Sequence, residues 1–396
     1  MKDNEMIDFC FNNESTAPCQ NIYSIAEPED VRDVTRFHMS LPKYMPTPLV
    51  RLKDLAEHLG VCEIFVKDES RRFDLNAFKV LGASYAMARS LVSEFNLNLK
   101  DFTFKKILNH IKKKAPLTFV TATDGNHGRA VAWAAEKFGC KSVVFMPKGS
   151  SRTRIEAIRN FGADASILDC NYDEAVNFAA ETAEKNNWIL MQDSSWPGYE
   201  KIPTHIMQGY FTLLTEAMTQ VKDKEFSHVF VQAGVGSLPA AISAFLNNFS
   251  FKSRPDFVVV EAKGAPCFLK SIKAGDGKYH TVHGNLDTIM AGLACGKPSK
   301  IAWEILKSCA DVFIACSDEV SKTGMRVLGN PIGDDTRIIS GESGAVTLGL
   351  VYQLLKNVKY NHLRDKFKMD NNSKILLFST EGDTDPVNYR KIVWQG

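Results

Sequence analysis

Along the chain, short runs dense in β-branched and aromatic residues alternate with longer stretches in which apolar positions recur every three or four residues. Nine runs read as buried strands: "EIFVKD" (63–68), "LTFVTA" (117–122), "KSVVFMP" (141–147), "ASILD" (165–169), "ILMQD" (189–193), "HVFVQ" (228–232), "DFVVVEA" (256–262), "DVFIAC" (311–316) and "KILLFST" (374–380). They are nearly continuous in apolar character, which is the pattern of parallel strands covered on both faces. Between them, "GRAVAWAAEKFG" (128–139) and "RTRIEAIRNFGA" (152–163) have amphipathic helical spacing, and each is expected to close on a glycine. Alternation of this kind predicts an α/β architecture with right-handed crossovers, and nine strands suit two sheets better than one.

Composition narrows the class. The chain has 396 residues, enough for two domains; 44% are hydrophobic and 24% charged, ordinary values for a soluble enzyme. A net charge of +2 argues against binding nucleic acid or a membrane surface by bulk electrostatics. The one basic run, "FKKILNHIKKKAP" (104–116), reads as the solvated face of a helix. The first residues, "MKDNEMIDFCFNNES", have no apolar core of the signal-peptide kind, and no run approaches membrane-spanning length. Nine scattered cysteines include no C-x-x-C pair, and no H-E-x-x-H motif occurs. No metal site is therefore expected, and a cytoplasmic protein with mostly reduced thiols is the default.

Chemistry is sought where strands end and helices begin, because open α/β sheets bind ligands there. In "LNAFKVLGASYAMA" (75–88) a lysine, Lys79, stands at the mouth of a helix built from small and apolar residues. It could be a solvated charge, a salt-bridge partner or a covalent anchor. In "ATDGNHGRAVAWAA" (122–135) a strand breaks into Asp124-Gly125-Asn126-His127-Gly128 and then a helix whose free N–H groups suit an anion. By itself this is also a plain turn with Asp124 as a cap. "FVQAGVGSLPAAISAFL" (230–246) has the form of a phosphate cradle, with Gly234, Val235, Gly236 and Ser237 at the turn. A dinucleotide turn would need a third glycine where Pro239 stands, although Glu261 does end the next strand. In "FSTEGDTDP" (378–386), Ser379 and Thr380 offer hydroxyls at the end of the last strand, within what could be an ordinary polar turn. In "ILMQDSSWPGYEKIP" (189–203), Asp193 ends another.

Each loop alone is ambiguous, but their combination is selective. A lysine before a small-residue helix, an asparagine in a glycine turn, a phosphate loop and a terminal hydroxyl are the parts needed to hold pyridoxal 5'-phosphate. Its aldehyde condenses with a lysine and its phosphate sits on a helix N-terminus. Lys79 is then the Schiff-base lysine, its ammonium partly desolvated by Phe78. The rival from another class is a nicotinamide-dependent dehydrogenase built on the "AGVGS" turn.

The chain resembles the tryptophan-synthase-β, or fold-type II, family of pyridoxal phosphate enzymes, and within it the diaminopropionate ammonia-lyases. The resemblance runs from "MPTPLVRL" (45–52) to "VWQG" (393–396), with "KDESRRFDLNAFKVLGASYA", "TDGNHGR", "MQDSSWPGYEKIP", "IMAGLACGKPS" and "GNPIGDDTRIISGESGAV" as its most specific blocks. It implies that Lys79 anchors the cofactor, Asn126 bonds its phenolic oxygen and Gly234–Ser237 hold its phosphate. Thr380, or less favourably Ser379, would face the pyridine nitrogen. Serine and threonine dehydratases resemble the chain in "GNHG" but have serine where Asp124 stands. Asp124 and Asp193 are thereby implied to be bases on opposite cofactor faces, for D- and L-substrate. The implied reaction is α,β-elimination of 2,3-diaminopropionate to pyruvate and two ammonia; serine/threonine dehydration and D-cysteine desulfhydration are the alternatives. The implied architecture is two three-layer αβα domains with the site in their cleft: residues 85–195 inserted into a larger domain of 1–84 plus 196–396. A homodimer is implied too.

Overall fold

The computed structural model describes residues 5–13, 15, 25–98, 102–123, 125–221, 225–248 and 252–395. All nine anticipated strands form, and two more flank them. In chain order the strands are β1 (Ile7–Phe11), β2 (Leu49–Arg51), β3 (Glu63–Asp68), β4 (Thr118–Ala122), β5 (Lys141–Met146), β6 (Asp164–Ile167), β7 (Ile189–Leu190), β8 (His228–Gln232), β9 (Asp256–Ala262), β10 (Val312–Cys316) and β11 (Lys374–Ser379). One sheet has seven strands in the order β1-β10-β9-β8-β11-β3-β2, and the other has four in the order β6-β5-β4-β7. The four-stranded sheet is wholly parallel. In the larger sheet the interior pairs are parallel, and the two strands missed from sequence, β1 and β2, pair antiparallel at its edges. Edge strands are covered less completely, so their side chains lack the continuous apolar signature of the interior. Only Ile7 is buried among the five residues of β1.

The reason for that signature is visible in the packing. Along β9, Phe257 and Val259 join one hydrophobic core while Val258, Val260 and Ala262 join the core on the opposite face. β8 and β10 divide in the same way, Val229 and Val231 against Phe230, and Phe313 and Ala315 against Val312, Ile314 and Cys316. Both faces are packed against apolar cores, so the polar residues of these strands, such as His228, Gln232 and Glu261, lie at or near their ends.

Helix ends follow local chemistry. The helix Asn126–Phe138 closes on Gly139 in the left-handed region, as its sequence suggests. The helix Arg152–Arg159 instead stops at Asn160, and its glycine, Gly162, forms the left-handed turn two residues later. The basic run at 104–116 contributes the helix Phe104–Ile111, with Phe104, Ile107 and Ile111 buried and its lysines outside. Among the described residues seven cysteines are free and Cys309 is disulfide-bonded, one exception to the expectation of reduced thiols.

The small-residue helix Val80–Glu94 is small for a steric reason. It crosses the helix Lys201–Gly209 so closely that a Cβ on Gly209 would lie 2.4 Å from the Leu81 carbonyl oxygen. The segment leading into it, Glu69–Asp74, is held from below by a buried ionic cluster. Lys67 Nζ contacts Glu216 at 2.7 Å, and Arg72 reaches Glu69 at 2.8 Å and Glu216 at 2.7 Å. Tyr44 donates to the same Glu216 at 2.8 Å. This cluster braces a strained run in which Phe73, Asp74 and Asn76 all have positive φ.

Burial pushes the Glu216 carboxyl up, but its bonds and charge interactions with Arg72 and Lys67 outweigh that and hold it at about 2. A depressed carboxylate contributes stability above its unfolded value of 4.5, and that stability is lost as pH falls toward 2. Glu216→Gln should therefore destabilise the protein at neutral pH by about 3–5 kcal/mol, since Lys67 and Arg72 lose a counter-charge. It should also flatten the acid limb of stability against pH. Urea denaturation at several pH values checks both; a neutral-pH midpoint equal to wild type would refute the bracing role.

Candidate active site

The carboxyl ends of β3, β4, β7, β8 and β11 converge on one cleft, the place where open α/β sheets bind ligands. Lys79 enters from the turn after β3. That turn is stitched to the end of β11: Phe78 N–H donates to the Thr380 carbonyl at 3.1 Å, Gly382 N–H to the Asn76 carbonyl at 2.9 Å, and Ala77 bridges Glu381. The Phe78 ring lines the cleft and packs on Tyr210, centroids 4.8 Å apart.

Lys79 Nζ donates to Asp193 Oδ2 at 2.5 Å. Asp193 is buried, and His127 stands on its other side, Nδ1 at 3.9 Å from Oδ2. The Nε2 of that ring faces the Met191 carbonyl at 2.7 Å, an acceptor, so Nε2 donates. Burial pushes Asp193 up, but the Lys79 charge, the His127 charge and the Lys79 hydrogen bond together bring it down to about 2. Asp193 is therefore ionised while Lys79 is charged.

On the other wall, Gly234, Val235, Gly236 and Ser237 turn from β8 into the helix Ser237–Asn247. Gly236 has φ +92°, and a Cβ there would meet the Phe268 ring at 2.3 Å. Only glycine fits both demands. The Ser237 hydroxyl donates to the Asp193 carbonyl at 2.6 Å, so what this turn offers an anion is backbone N–H at a helix start. Thr380 lines the cleft, and its Oγ1 accepts from Gln232 Nε2 at 2.8 Å, which leaves its own proton to donate. Ser379 does not line it; its hydroxyl donates to Ser340 at 2.8 Å in the interior. Asn126 lines the cleft at the start of its helix. Asp124 lies outside the described residues.

Several lining residues carried no role in the sequence reading: His127, Tyr172, Tyr210, Gln232, Ser343 and Glu381. Gln232 left a trace, as the polar end of the apolar run "HVFVQ". The other five became visible only when distant segments met.

Pyridoxal phosphate fits these residues. Tyr210 Oη, Gln232 Oε1 and Ser343 Oγ, all on residues lining this cleft, are buried without a hydrogen-bond partner among the described residues. Such atoms cost free energy unless a ligand satisfies them. A dinucleotide fits less well. Glu261 would be needed for a ribose, but it is buried and accepts the N–H groups of Phe268 and Leu269 at 2.7 Å each. Burial drives it up to about 8, although those N–H bonds oppose the rise.

Comparison with known proteins agrees. The chain belongs to the pyridoxal-phosphate dependent enzymes, whose family model matches residues 41–365, and pyridoxal phosphate is its cofactor. It is 44% identical over 394 residues to the diaminopropionate ammonia-lyase of Escherichia coli (strain K12), covering 99% of this chain and 96% of that one. It is 46% identical over 370 residues to the diaminopropionate ammonia-lyase of Salmonella typhimurium (strain LT2), covering 92% of each. The crystal structure of the Escherichia coli enzyme in complex with D-serine superposes with a TM-score of 0.91 at 41% identity. That alignment covers 98% of this chain and 97% of that chain.

Gly236→Ala is expected to weaken pyridoxal phosphate binding at least about tenfold, since the methyl group must displace the Phe268 ring or the loop. Titration of the apoprotein, followed by visible absorbance, measures this. Wild-type affinity in the variant would show that the turn does not hold the phosphate.

Proposed function

We propose that the chain is a carbon–nitrogen lyase that eliminates ammonia from 2,3-diaminopropionate, D and L, giving pyruvate and a second ammonia. The observation that carries the reading is the Lys79–Asp193 pair at 2.5 Å inside a cleft that fits pyridoxal phosphate. The substrate rests on likeness along nearly the whole length to two enzymes named for it.

Lys79 would be the anchoring amine, and the backbone N–H groups from Gly234 to Ser237 would receive the phosphate. The Thr380 hydroxyl would offer its proton to the ring nitrogen, and Asn126 would serve the phenolic oxygen. Bound there, the cofactor supplies an electron-withdrawing ring that accepts the electron pair left when the α-proton departs. The protein's part is to move that proton. The Lys79 charge is the largest influence holding Asp193 low; with that charge lost, burial is less opposed and favours proton uptake. This suits Asp193 to act as a base, and its assignment to the L-isomer rests on the resemblance to the diaminopropionate ammonia-lyases. Asp124 is assigned the D-isomer on the sequence of its turn. A departing amine must be protonated, so a carboxyl group that has just gained a proton is useful.

Further proposals concern setting. The enzyme is taken to be cytoplasmic and homodimeric; among the described residues no helix is long and apolar enough to cross a membrane. Sedimentation equilibrium at the monomer mass would overturn the dimer. Residues 85–195 are taken as the smaller domain, closing on the larger to keep water from the reacting centre.

Two sets of variants test the chemistry. Lys79→Ala should lose the borohydride-fixable absorbance band and pyruvate formation while retaining the fold. Asp193→Asn should lower turnover of L-diaminopropionate about 100-fold or more and the D-isomer much less, with Asp124→Asn the reverse. Pyruvate formation from each isomer is the measurement. Equal losses on both isomers would sink the two-base assignment, and faster turnover of serine than of diaminopropionate would sink the substrate.

A further inference from the structure

Glu381 has no task in the scheme above, yet it is 4% exposed and lines the cleft. Its two oxygens reach different parts of the molecule. Oε2 accepts from Asn126 Nδ2 at 2.5 Å, and Oε1 accepts from the Ser343 backbone N–H at 3.0 Å. Asn126 opens a helix of the four-stranded layer, whereas Ser343 lies in the first turn of the helix Glu342–Lys356 beside the seven-stranded sheet. N–H groups in a first turn lack partners within their helix and readily donate to a carboxyl oxygen. The Glu381 backbone is fixed as well: it bridges Ala77, two residues before Lys79, and its carbonyl accepts the Gly341 N–H at 3.0 Å. The carboxylate thus sits at a junction of the lysine-bearing turn, the end of β11 and two helix starts.

A carboxylate can only accept hydrogen bonds, whereas a carboxamide has a donor end and an acceptor end. Contact with Glu381 therefore permits one orientation of Asn126, NH₂ toward the carboxylate. We infer that Glu381 is a positioning residue that locks the Asn126 amide and so sets the bond Asn126 makes to the cofactor. The inference rests on the proposed role of Asn126. It separates Glu381 from the other carboxylate in the same cleft: Asp193 faces the amine and moves a proton, while Glu381 faces an amide and holds it still. It also makes the Asn126–Glu381 bond a tie between the two sheets at the cofactor itself.

The test uses apoprotein titrated with pyridoxal phosphate, the dissociation constant being read from visible absorbance. Glu381→Gln keeps an oxygen for the Ser343 N–H but can also donate, so the amide is no longer locked. It should weaken cofactor binding about tenfold, in the range of one charge-assisted hydrogen bond. Asn126→Ala should weaken it comparably, and the double variant should be no weaker than Asn126→Ala, because the first residue acts only through the second. Wild-type affinity in Glu381→Gln overturns the inference, as do losses that multiply in the double variant. A raised KM for diaminopropionate with intact cofactor affinity would instead mean that Glu381 binds substrate directly, and also overturns it. Wild-type affinity in Asn126→Ala would be different: it removes the Asn126 assignment, and the inference with it. Should Glu381→Gln not fold, Asn126→Asp probes the contact from the other side. Two facing carboxylates should lower the apoprotein Tm, and an unchanged Tm would count against the contact.

Discussion

The site depends on one buried contact, the ammonium of Lys79 against the carboxylate of Asp193. Its partners come from separate sheets, the lysine from the turn after β3 and the aspartate from beyond β7. Each makes the other tolerable in a low-dielectric cleft: the aspartate gives the amine a counter-charge, and the amine keeps the carboxylate ionised against burial. Neither could be held there alone at low cost. A change of charge on one partner also alters the basicity of the other.

Around that pair, the scaffold is organised to limit movement. The ionic cluster of Lys67, Glu69, Arg72 and Glu216 lies beneath the strained turn that delivers Lys79. On the far side of that turn, hydrogen bonds between Asn76–Phe78 and Thr380–Gly382 fasten it to the end of β11. Thr380 is thereby placed by the same stitching that places the lysine. The glycine turn after β8 joins in through the Ser237 hydroxyl, which holds the Asp193 carbonyl. The glycine turn, Thr380, Lys79 and Asp193 are therefore coupled through hydrogen bonds and do not float on independent loops.

Two carboxylates in one cleft are given different work by their surroundings. Asp193 has ionisable neighbours, Lys79 and His127, so its basicity changes with their charge. Glu381 is hydrogen-bonded to an amide and a helix-start N–H, groups that do not titrate in the working range, although its charge also acts on Glu342 and Arg129. The first environment suits proton transfer and the second suits fixed geometry.

Much of this was legible in the chain because burial on both sides of a parallel sheet forces continuous apolar runs. The nine anticipated strands, most of them interior, with the helices between them and the loops at their carboxyl ends follow from that constraint, as do the glycine turn, Lys79, Thr380 and Asp193 as candidate chemistry. The edge strands β1 and β2 were not legible, since partial cover leaves no such signature. "FSTEGDTDP" shows the second limit: as sequence it is a polar turn, in which only the family resemblance ranks Thr380 over Ser379 and nothing singles out Glu381. Which hydroxyl enters the cleft and which carboxylate meets Asn126 depend on side-chain direction and on contacts between residues hundreds of positions apart. Sequence determines where polar groups interrupt a buried pattern. Only tertiary packing decides which interruptions face one another, because local spacing carries no information about the partner on the other sheet.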